Sequence, residues 1–170
     1  RGTSIWDYQG TSKVGQFFVN GDFVTGNLKH RILGGIDMGD KSFYHDWSQW
    51  SALKTLNVSQ PVYGTMTAED YPAWKRELPL QQRGVHYQQS YKGYYVQDEI
   101  AMLHEKLRLT LAARYTVASD LNPYSGSVES SKITPRVGLS YSVNKYTSAY
   151  AVYDQAFVPQ AGADFNGKSF

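Results

Sequence analysis

The sequence predicts an all-β protein, an antiparallel meander that forms part of a large transmembrane β-barrel. Residues 107–117 alternate without a break, with Leu, Leu, Leu, Ala, Tyr and Val at odd positions and Arg, Thr, Ala, Arg and Thr between them. A period of two is typical of a strand with one apolar and one polar face. The length matches the roughly 9 to 11 residues that a tilted strand needs to cross a bilayer. The predicted connections alternate between short turns and long loops, as in outer-membrane barrels.

Composition agrees with this fold and excludes several classes of function. Aromatic residues make up 15% of the chain, with 14 Tyr, and there are 15 Gly and no Cys. Rings in this number suit strands and membrane interfaces. The lack of Cys excludes disulfides, thiolate metal sites and Cys nucleophiles. A net charge of +2 gives no reason to expect a nucleic-acid partner. No apolar run is long enough to predict a signal peptide or a membrane helix.

The first part of the chain reads as a strand over residues 1–9, a loop over 10–13 and a hairpin over 14–38. The hairpin turns at Gly26 and Asn27, a two-residue connection of the kind that joins antiparallel strands. This turn sets the register of the two strands.

In that register Phe23 lies opposite His30 on a nearly apolar face, and Asp22 lies opposite Arg31 on the other face. An acid directly across from a base is a pair that stabilises a sheet. Because the turn alone sets the register, the charge match is a partly independent check on it.

Residues 39–93 break the alternation and predict a long extracellular loop. A short helix is expected near residues 46–56, because Trp47, Trp50 and Leu53 recur at helical spacing.

The next hairpin joins a strand over 94–103 to the alternating stretch through a tight turn at 103–106. It places Tyr94 opposite Tyr115. It also places Asp98 on the apolar face, where a charge is costly. A bulge or a slipped register would remove this conflict.

Residues 119–133 are rich in Ser, Asn, Gly and Pro and predict an exposed loop. The next strand, over 134–143, is expected to pair Val117 with Pro135.

A two-residue turn at Asn144 and Lys145 then leads into a last strand over 146–158, with Tyr150 on the apolar face and Tyr153 turned inward. The total is about seven strands, joined by short turns at one end and long loops at the other.

Six short segments share one resemblance. They are LKHR followed by GGID (28–31 and 34–37), PVYG (61–64), YVQD (95–98), LAARY (111–115), TPRVGL (134–139) and FVPQAG (157–162). In order and spacing they resemble TonB-dependent ferric-siderophore receptors, the outer-membrane proteins related to the ferrichrome and ferrioxamine receptors.

The resemblance implies a barrel of about 22 strands around an N-terminal plug, with short periplasmic turns. The chain would be a fragment of the barrel domain, with the plug, the TonB box and the C-terminal strands outside its 170 residues. The implied partners are a ferric siderophore, the TonB complex through the plug, and outer-membrane lipid. Ferric iron would arrive chelated, so no cofactor is expected.

Five aromatic residues are predicted to contact the siderophore, because flat rings supply apolar contact and a polar handle. They are Trp47, Trp50, Tyr63 and Trp74 in the long loop and Tyr124 in the next loop. The alternative is that the loop rings pack only against one another. Both interpretations stay open.

The His and Arg residues give weaker evidence for a binding site. The four His, at positions 30, 45, 86 and 104, show no metal-ligand spacing. Arg108, Arg114 and Arg136 share the polar face, where a lumen wall satisfied by Glu99, Gln97 and water is favoured over contact with a plug or an anionic ligand. The sequence contains no catalytic motif, so an enzyme is not predicted.

Two further functions are compatible with the pattern. One is a TonB-dependent importer of another nutrient, such as a glycan or haem. The other is a soluble β-rich carbohydrate-binding module that stacks Trp47, Trp50 and Trp74 on sugar. The soluble fold requires a second protein layer over Ile36, Leu109 and Val137, whereas the membrane fold leaves them bare.

Overall fold

The computed structural model describes residues 2–53, 57–64, 66–74, 76–159 and 165. Within them six strands form one sheet in chain order. The strands are β1 (Gly2–Thr25), β2 (Leu28–Ala52), β3 (Val85–Met102), β4 (Leu107–Asn122), β5 (Gly126–Asn144) and β6 (Thr147–Asp154). A 3₁₀ turn (Ala68–Asp70) and a short helix, α1 (Leu80–Arg83), lie between β2 and β3. Neither of these, in the described part of the chain, has the length or apolarity to cross a membrane.

The chain divides into two compact units. Unit 1 comprises Arg1–Thr11 and Lys41–Gln88, and unit 2 comprises Ser12–Asp40 and Gln89–Phe170. Unit 1 contains the connection between β2 and β3, and unit 2 contains the hairpin turns.

The β1–β2 hairpin confirms the predicted turn and register. Gly26 has φ +60°, which a residue without Cβ adopts at little cost. The rings of Phe23 and His30 stack with centroids 4.6 Å apart. Arg31 Nε donates a hydrogen bond to Asp22 Oδ1 at 3.2 Å.

Both strands of this hairpin are longer than predicted. β1 is continuous over 24 residues, so the expected loop at 10–13 is wrong and the described residues form six strands. β2 continues to Ala52, so the helix expected over 46–56 is also wrong across 46–52, while 54–56 lie outside the described residues. Pairing with a neighbouring strand overrides weak local preference, and the helical spacing of Trp47, Trp50 and Leu53 was a coincidence. The segment that connects β2 to β3 is therefore residues 53–84, which is shorter than the loop predicted over 39–93.

The β3–β4 hairpin agrees with the prediction. Lys106 N donates to Leu103 O at 3.2 Å, and the rings of Tyr94 and Tyr115 lie 6.4 Å apart. Leu103, His104 and Glu105 have φ of 52°, 54° and 65°, so three consecutive residues of the 103–106 turn adopt the left-handed conformation, one more than a two-residue hairpin turn requires.

The β4–β5 hairpin corrects the predicted loop at 119–133. β4 extends to Asn122 and β5 begins at Gly126, and Asn122 Oδ1 accepts a hydrogen bond from Tyr124 N at 2.9 Å. Tyr115 pairs with Ile133, four residues from the predicted partner. An even shift preserves the faces, because side chains alternate with a period of two.

The faces of the last strand were predicted wrongly. The pairing of β5 with β6 shifts at an irregularity between Ser142 and Asn144. One extra residue on one strand exchanges the faces of the residues beyond it. Tyr153 therefore pairs with Val137 on the apolar face, and Tyr150 pairs with Ser140 on the polar face. The strand ends at Asp154 and not at residue 158.

The apolar face of the sheet is bare in the described residues. Ile36 and Leu109 are half-buried and Val137 is 43% exposed. Among all the described residues, the only buried hydrophobic ones are Leu80 and Ala101. A soluble module of this size would need a packed core, so the single sheet does not support that alternative.

On one face of β1 the apolar side chains occupy only part of the strand, and this part is called the apolar band. Alternate positions from Gly15 to Phe23 on this face are apolar or Gly, whereas those nearer the N-terminus are polar. Those polar residues are Lys13, Thr11, Gln9 and Asp7. The apolar stretch of about nine residues matches one membrane crossing, and the strand continues beyond it.

Candidate functional site

Six rings in unit 1 form an aromatic cluster. The members are Trp6 and Tyr8 from β1, Phe43, His45 and Trp47 from β2, and Tyr87 from β3. Alternate residues of a strand project to the same side, so the three rings of β2 stand in a row. The cluster thus results from strand periodicity.

His45 lies at the centre of the aromatic cluster. Its ring centroid is 5.2 Å from that of Trp47, 5.3 Å from Tyr87, 5.4 Å from Phe43 and 6.1 Å from Trp6. The residue is only 3% exposed. Its Nδ1 is buried and has no hydrogen-bond partner among the described residues.

The outer rings of the aromatic cluster are open to solvent. Trp6 is 59% exposed, Tyr8 66% and Trp47 57%. Exposed rings grouped in this way usually mark a binding surface. They offer flat apolar contact, with N–H and O–H groups at the ring edges.

An ion-pair clamp anchors the connection between β2 and β3. Arg83 of α1 donates to Asp7 of β1 and to Asp46 of β2. The Arg83 side chain is 14% exposed. Next to it, a Cβ at Gly84 would come within 2.7 Å of Leu80 O and 3.0 Å of His45 O. The backbone therefore approaches β2 closely, and the clamp, made of Asp7, Asp46 and Arg83, holds it there.

The clamp perturbs the acidity of its members, which lie beyond the apolar band. Burial acts to raise the pKa of Asp46, but hydrogen bonds from Ser48 and Arg83 outweigh it and bring the pKa down to about 2. The hydrogen bond from Arg83 lowers the pKa of Asp7, and the same bond raises the pKa of Arg83. Both carboxylates are thus ionised at neutral pH.

A second aromatic group lies in the connection. The Arg76 guanidinium carbon sits 3.9 Å from the centroid of the Trp74 ring, within cation–π range. Arg76 Nε is also 3.4 Å from Asp7 Oδ2. Trp74 is thereby linked to the clamp.

The structure places the predicted binding residues in several locations. Trp47 belongs to the aromatic cluster, while Trp50 lies against Gly2, where a Cβ would overlap its ring. Trp74 stacks on Arg76. Tyr63 is 81% exposed and makes no ring contact within the described residues. Tyr124 lies in the β4–β5 turn of unit 2, exposed.

Five members of the aromatic cluster were missed from sequence: Trp6, Tyr8, Phe43, His45 and Tyr87. The period of two in Phe43, His45 and Trp47 was the available signal. It was obscured because the same segment was assigned to a loop with a helix.

The polar face in unit 2 carries paired charges. Arg114 donates to both carboxylate oxygens of Asp37, at 2.6 and 2.7 Å. Arg108 Nη1 donates to Glu99 Oε1 at 3.3 Å, as predicted. Arg136 Nη2 donates to Asp154 at 2.6 Å. The arginines of this face are thus satisfied by the wall itself. No group of three or more His, Asp or Glu able to hold a metal occurs in the described chain.

Comparison with known proteins decides the family. The profile of a family described as "TonB dependent receptor-like, beta-barrel" matches residues 2–169. The chain belongs to this family. TonB-dependent receptors are transport receptors of the outer membrane and not enzymes, and their barrel architecture agrees with the meander and with its bare apolar face.

Two receptors are similar in sequence to this TonB-dependent receptor chain. It is 30% identical over 154 residues to the "Ferrioxamine B receptor" of Salmonella typhimurium, a match that covers 88% of this chain and 20% of the relative. It is 24% identical over 180 residues to the "Metal-pseudopaline receptor CntO" of Pseudomonas aeruginosa, covering 96% of this chain and 24% of the relative. The chain thus spans about a fifth to a quarter of these receptors.

A solved structure shares the fold. BauA, described as the ferric preacinetobactin receptor of Acinetobacter baumannii, superposes with a TM-score of 0.61 at 19% identity. The match covers 99% of this chain and 25% of that receptor. At this identity the likeness establishes architecture alone.

Proposed function

We propose that this chain is part of an outer-membrane receptor that binds a ferric siderophore at the aromatic cluster and imports it with energy supplied through TonB. The observation that carries the proposal is the group of exposed rings on strands of a TonB-dependent receptor fold. Relatives named for ferrioxamine B and for metal-pseudopaline support a chelated metal as the ligand.

The outer membrane is the proposed location. A sheet with a bare face of apolar side chains is stable where that face meets lipid and the backbone is paired within a closed barrel. The apolar positions on one face of β1 end before Lys13, so we assign Asp7, which lies nearer the N-terminus of the same strand, to the aqueous region outside the hydrocarbon. In this arrangement the paired charges of Arg114 and Asp37 line the lumen.

The binding chemistry needs no metal site on the protein. The chelator holds the iron, so the receptor has to recognise the organic surface of the complex. Trp6, Tyr8 and Trp47 supply flat apolar area with little loss of side-chain entropy. Trp50, Tyr63, Trp74 and Tyr124 are proposed as weaker contacts, with Trp50 contributing little because it packs against Gly2.

Energy coupling is assigned to a partner outside this chain. The TonB complex would act through a plug domain, as the sequence resemblance implies. The inner wall would then hold the plug by shape and hydrogen bonding more than by net charge, because Arg108, Arg114 and Arg136 are each neutralised by a carboxylate of the same wall.

Growth on defined iron sources tests the function. The full-length receptor is expressed in a siderophore-deficient Gram-negative host that lacks its own ferric-siderophore receptors. Growth on at least one ferric siderophore, lost when the host's TonB is deleted, is expected. Growth restored by haem or a glycan and by no ferric siderophore would contradict the proposal.

A further inference from the structure

The centre of the aromatic cluster holds one of the four buried side-chain N or O atoms that lack a hydrogen-bond partner among the described residues. His45 is 3% exposed and its buried Nδ1 has no partner in the described residues. Leaving a buried polar atom unsatisfied costs free energy, and a phenyl ring would fill the same space without that cost. Packing alone therefore does not explain why an imidazole occupies this position.

Four aromatic rings contact the His45 ring. Tyr87 stacks on it with an interplanar angle of 25°, and Phe43 is tilted by 31°. Trp6 and Trp47 stand nearly perpendicular to it, at 83° and 78°. Tyr87 carries a hydroxyl and the two indoles carry N–H groups, but none of these groups bonds to Nδ1.

The four rings differ in exposure. Trp6 and Trp47 are each more than half exposed within the described residues, whereas Phe43 and Tyr87 are half-buried. The side of the cluster that carries the two indoles is therefore the side from which a ligand would approach the imidazole.

We propose that His45 is a specificity-determining ligand contact, whose Nδ1 forms a hydrogen bond with an amide, hydroxyl or hydroxamate group of the bound chelator. The inference rests on the proposed function and adds the residue that reads the polar groups of the ligand. The contact goes to the chelator and not to the metal, because one imidazole without further ligands nearby does not make a metal site. The exposed indoles pack on the apolar surface of the same ligand.

Two substitutions at His45 separate the nitrogen from the ring. His45→Phe keeps an aromatic ring and removes the nitrogen. His45→Asn loses the ring but keeps a polar group near the position of Nδ1. A ligand hydrogen bond and a purely packing role predict opposite orders of affinity for these two variants.

The experiment uses the full-length receptor purified in detergent. Binding of ferric ferrioxamine B, a ferric tris-catecholate and ferric citrate is measured by quenching of tryptophan fluorescence. For a chelate that the wild type binds, His45→Phe is expected to weaken affinity by about tenfold. His45→Asn is expected to stay within about threefold of the wild type. The unfolding temperature of His45→Phe should not fall, since the substitution removes an unpaired buried atom.

The outcomes are distinct. If His45→Phe binds as the wild type does, or more tightly than His45→Asn, the ring matters and the inference fails while the proposed function stands. Weak binding by a His45→Phe receptor with a lowered unfolding temperature also overturns it. If the wild type binds none of the three chelates and no ferric siderophore supports growth, the proposed function and the inference fail together.

Discussion

His30 Nδ1 lies 2.8 Å from Asp98 Oδ2, joining β2 to β3 on the apolar face of the sheet. These are the two polar residues whose positions conflicted with an apolar face in the sequence. They pair with each other, and the His30 ring also stacks on Phe23 with an interplanar angle of 4°. No bulge or slipped register is needed to account for Asp98, because its Oδ2 has a partner, although its buried Oδ1 has none among the described residues.

Breaking this pair should destabilise the receptor. His30→Leu or Asp98→Leu alone leaves one partner unsatisfied on the apolar face, at a cost of roughly 1–3 kcal/mol. The double variant His30→Leu, Asp98→Leu should recover most of that loss, because both polar groups are gone. Thermal unfolding of the full-length receptor in detergent measures the effect. Additive losses in the double variant would show that the pair contributes no coupling.

The Arg83 clamp should weaken in acid. The pKa values of Asp7 and Asp46 are lowered in the folded state. Their contribution is therefore complete above the unfolded value near pH 4 and is lost as the pH falls toward about 2, the pKa of Asp46. After correction for the intrinsic pH dependence of amide exchange, hydrogen exchange of residues 76–84 should speed up over this range.

Arg83→Met provides the test of the acid response. This variant should exchange quickly at every pH and show no further acceleration in acid, whereas Arg31→Met, which breaks the exposed Asp22 pair, should leave residues 76–84 unchanged. An acid response that persists in Arg83→Met would mean that groups outside the clamp cause it.

Gly93 makes room for the pair between Arg114 and Asp37. β3 lies between the strands that carry them, and a Cβ at Gly93 would overlap the Arg114 guanidinium and come within 2.9 Å of Asp37 Oδ1. Gly93→Ala should displace Arg114 and destabilise the receptor by about 1–3 kcal/mol.

Gly21→Ala is the matched control for Gly93→Ala. Nothing lies within 4 Å of a Cβ at that position of β1, so unfolding in urea should change little. A combined Gly93→Ala, Arg114→Ala variant should be less destabilised than the sum of its parts. Equal effects of Gly93→Ala and Gly21→Ala would show that Arg114 has room to move aside.

Trp47 should matter more for siderophore binding than Trp50. Trp47 belongs to the aromatic cluster, whereas Trp50 packs over Gly2. Trp47→Ala is expected to weaken binding of a ferric chelate by tenfold or more, because hot-spot aromatics typically contribute about 2 kcal/mol. Trp50→Ala should change affinity by less than about threefold. Titration of the purified receptor by calorimetry avoids the loss of fluorescence signal, and the reverse order would place the site elsewhere.

Much of unit 2 was predictable because its strands alternate cleanly. Counting alternate residues outward from a short turn gives the cross-strand partners. This predicted the Asp22 and Arg31 pair next to the Gly26 and Asn27 turn, and the contact of Tyr94 with Tyr115. Errors arose where polar residues dilute the pattern, as at 10–13 and 119–133. There the strands continue because a neighbouring strand pairs with them, which local propensity does not reveal.

The candidate site was less predictable. Aromatic richness pointed to residues 39–93, but the aromatic cluster also depends on Trp6 and Tyr8 of β1, which lie outside that stretch. Arg83 likewise joins Asp7 and Asp46 from a separate segment. Contacts of this kind require the strand register, and no local pattern encodes them.

The sequence alone determined that this chain is an amphipathic meander with one apolar face, because the alternation of side chains along a strand is set by covalent geometry within a few residues. Only the tertiary structure decided where strands end, how β4 meets β5, and that His45 stands among four rings with an unpaired nitrogen. Those features depend on the summed free energy of contacts between segments distant in the chain, and a shift of a few residues leaves the local alternation unchanged.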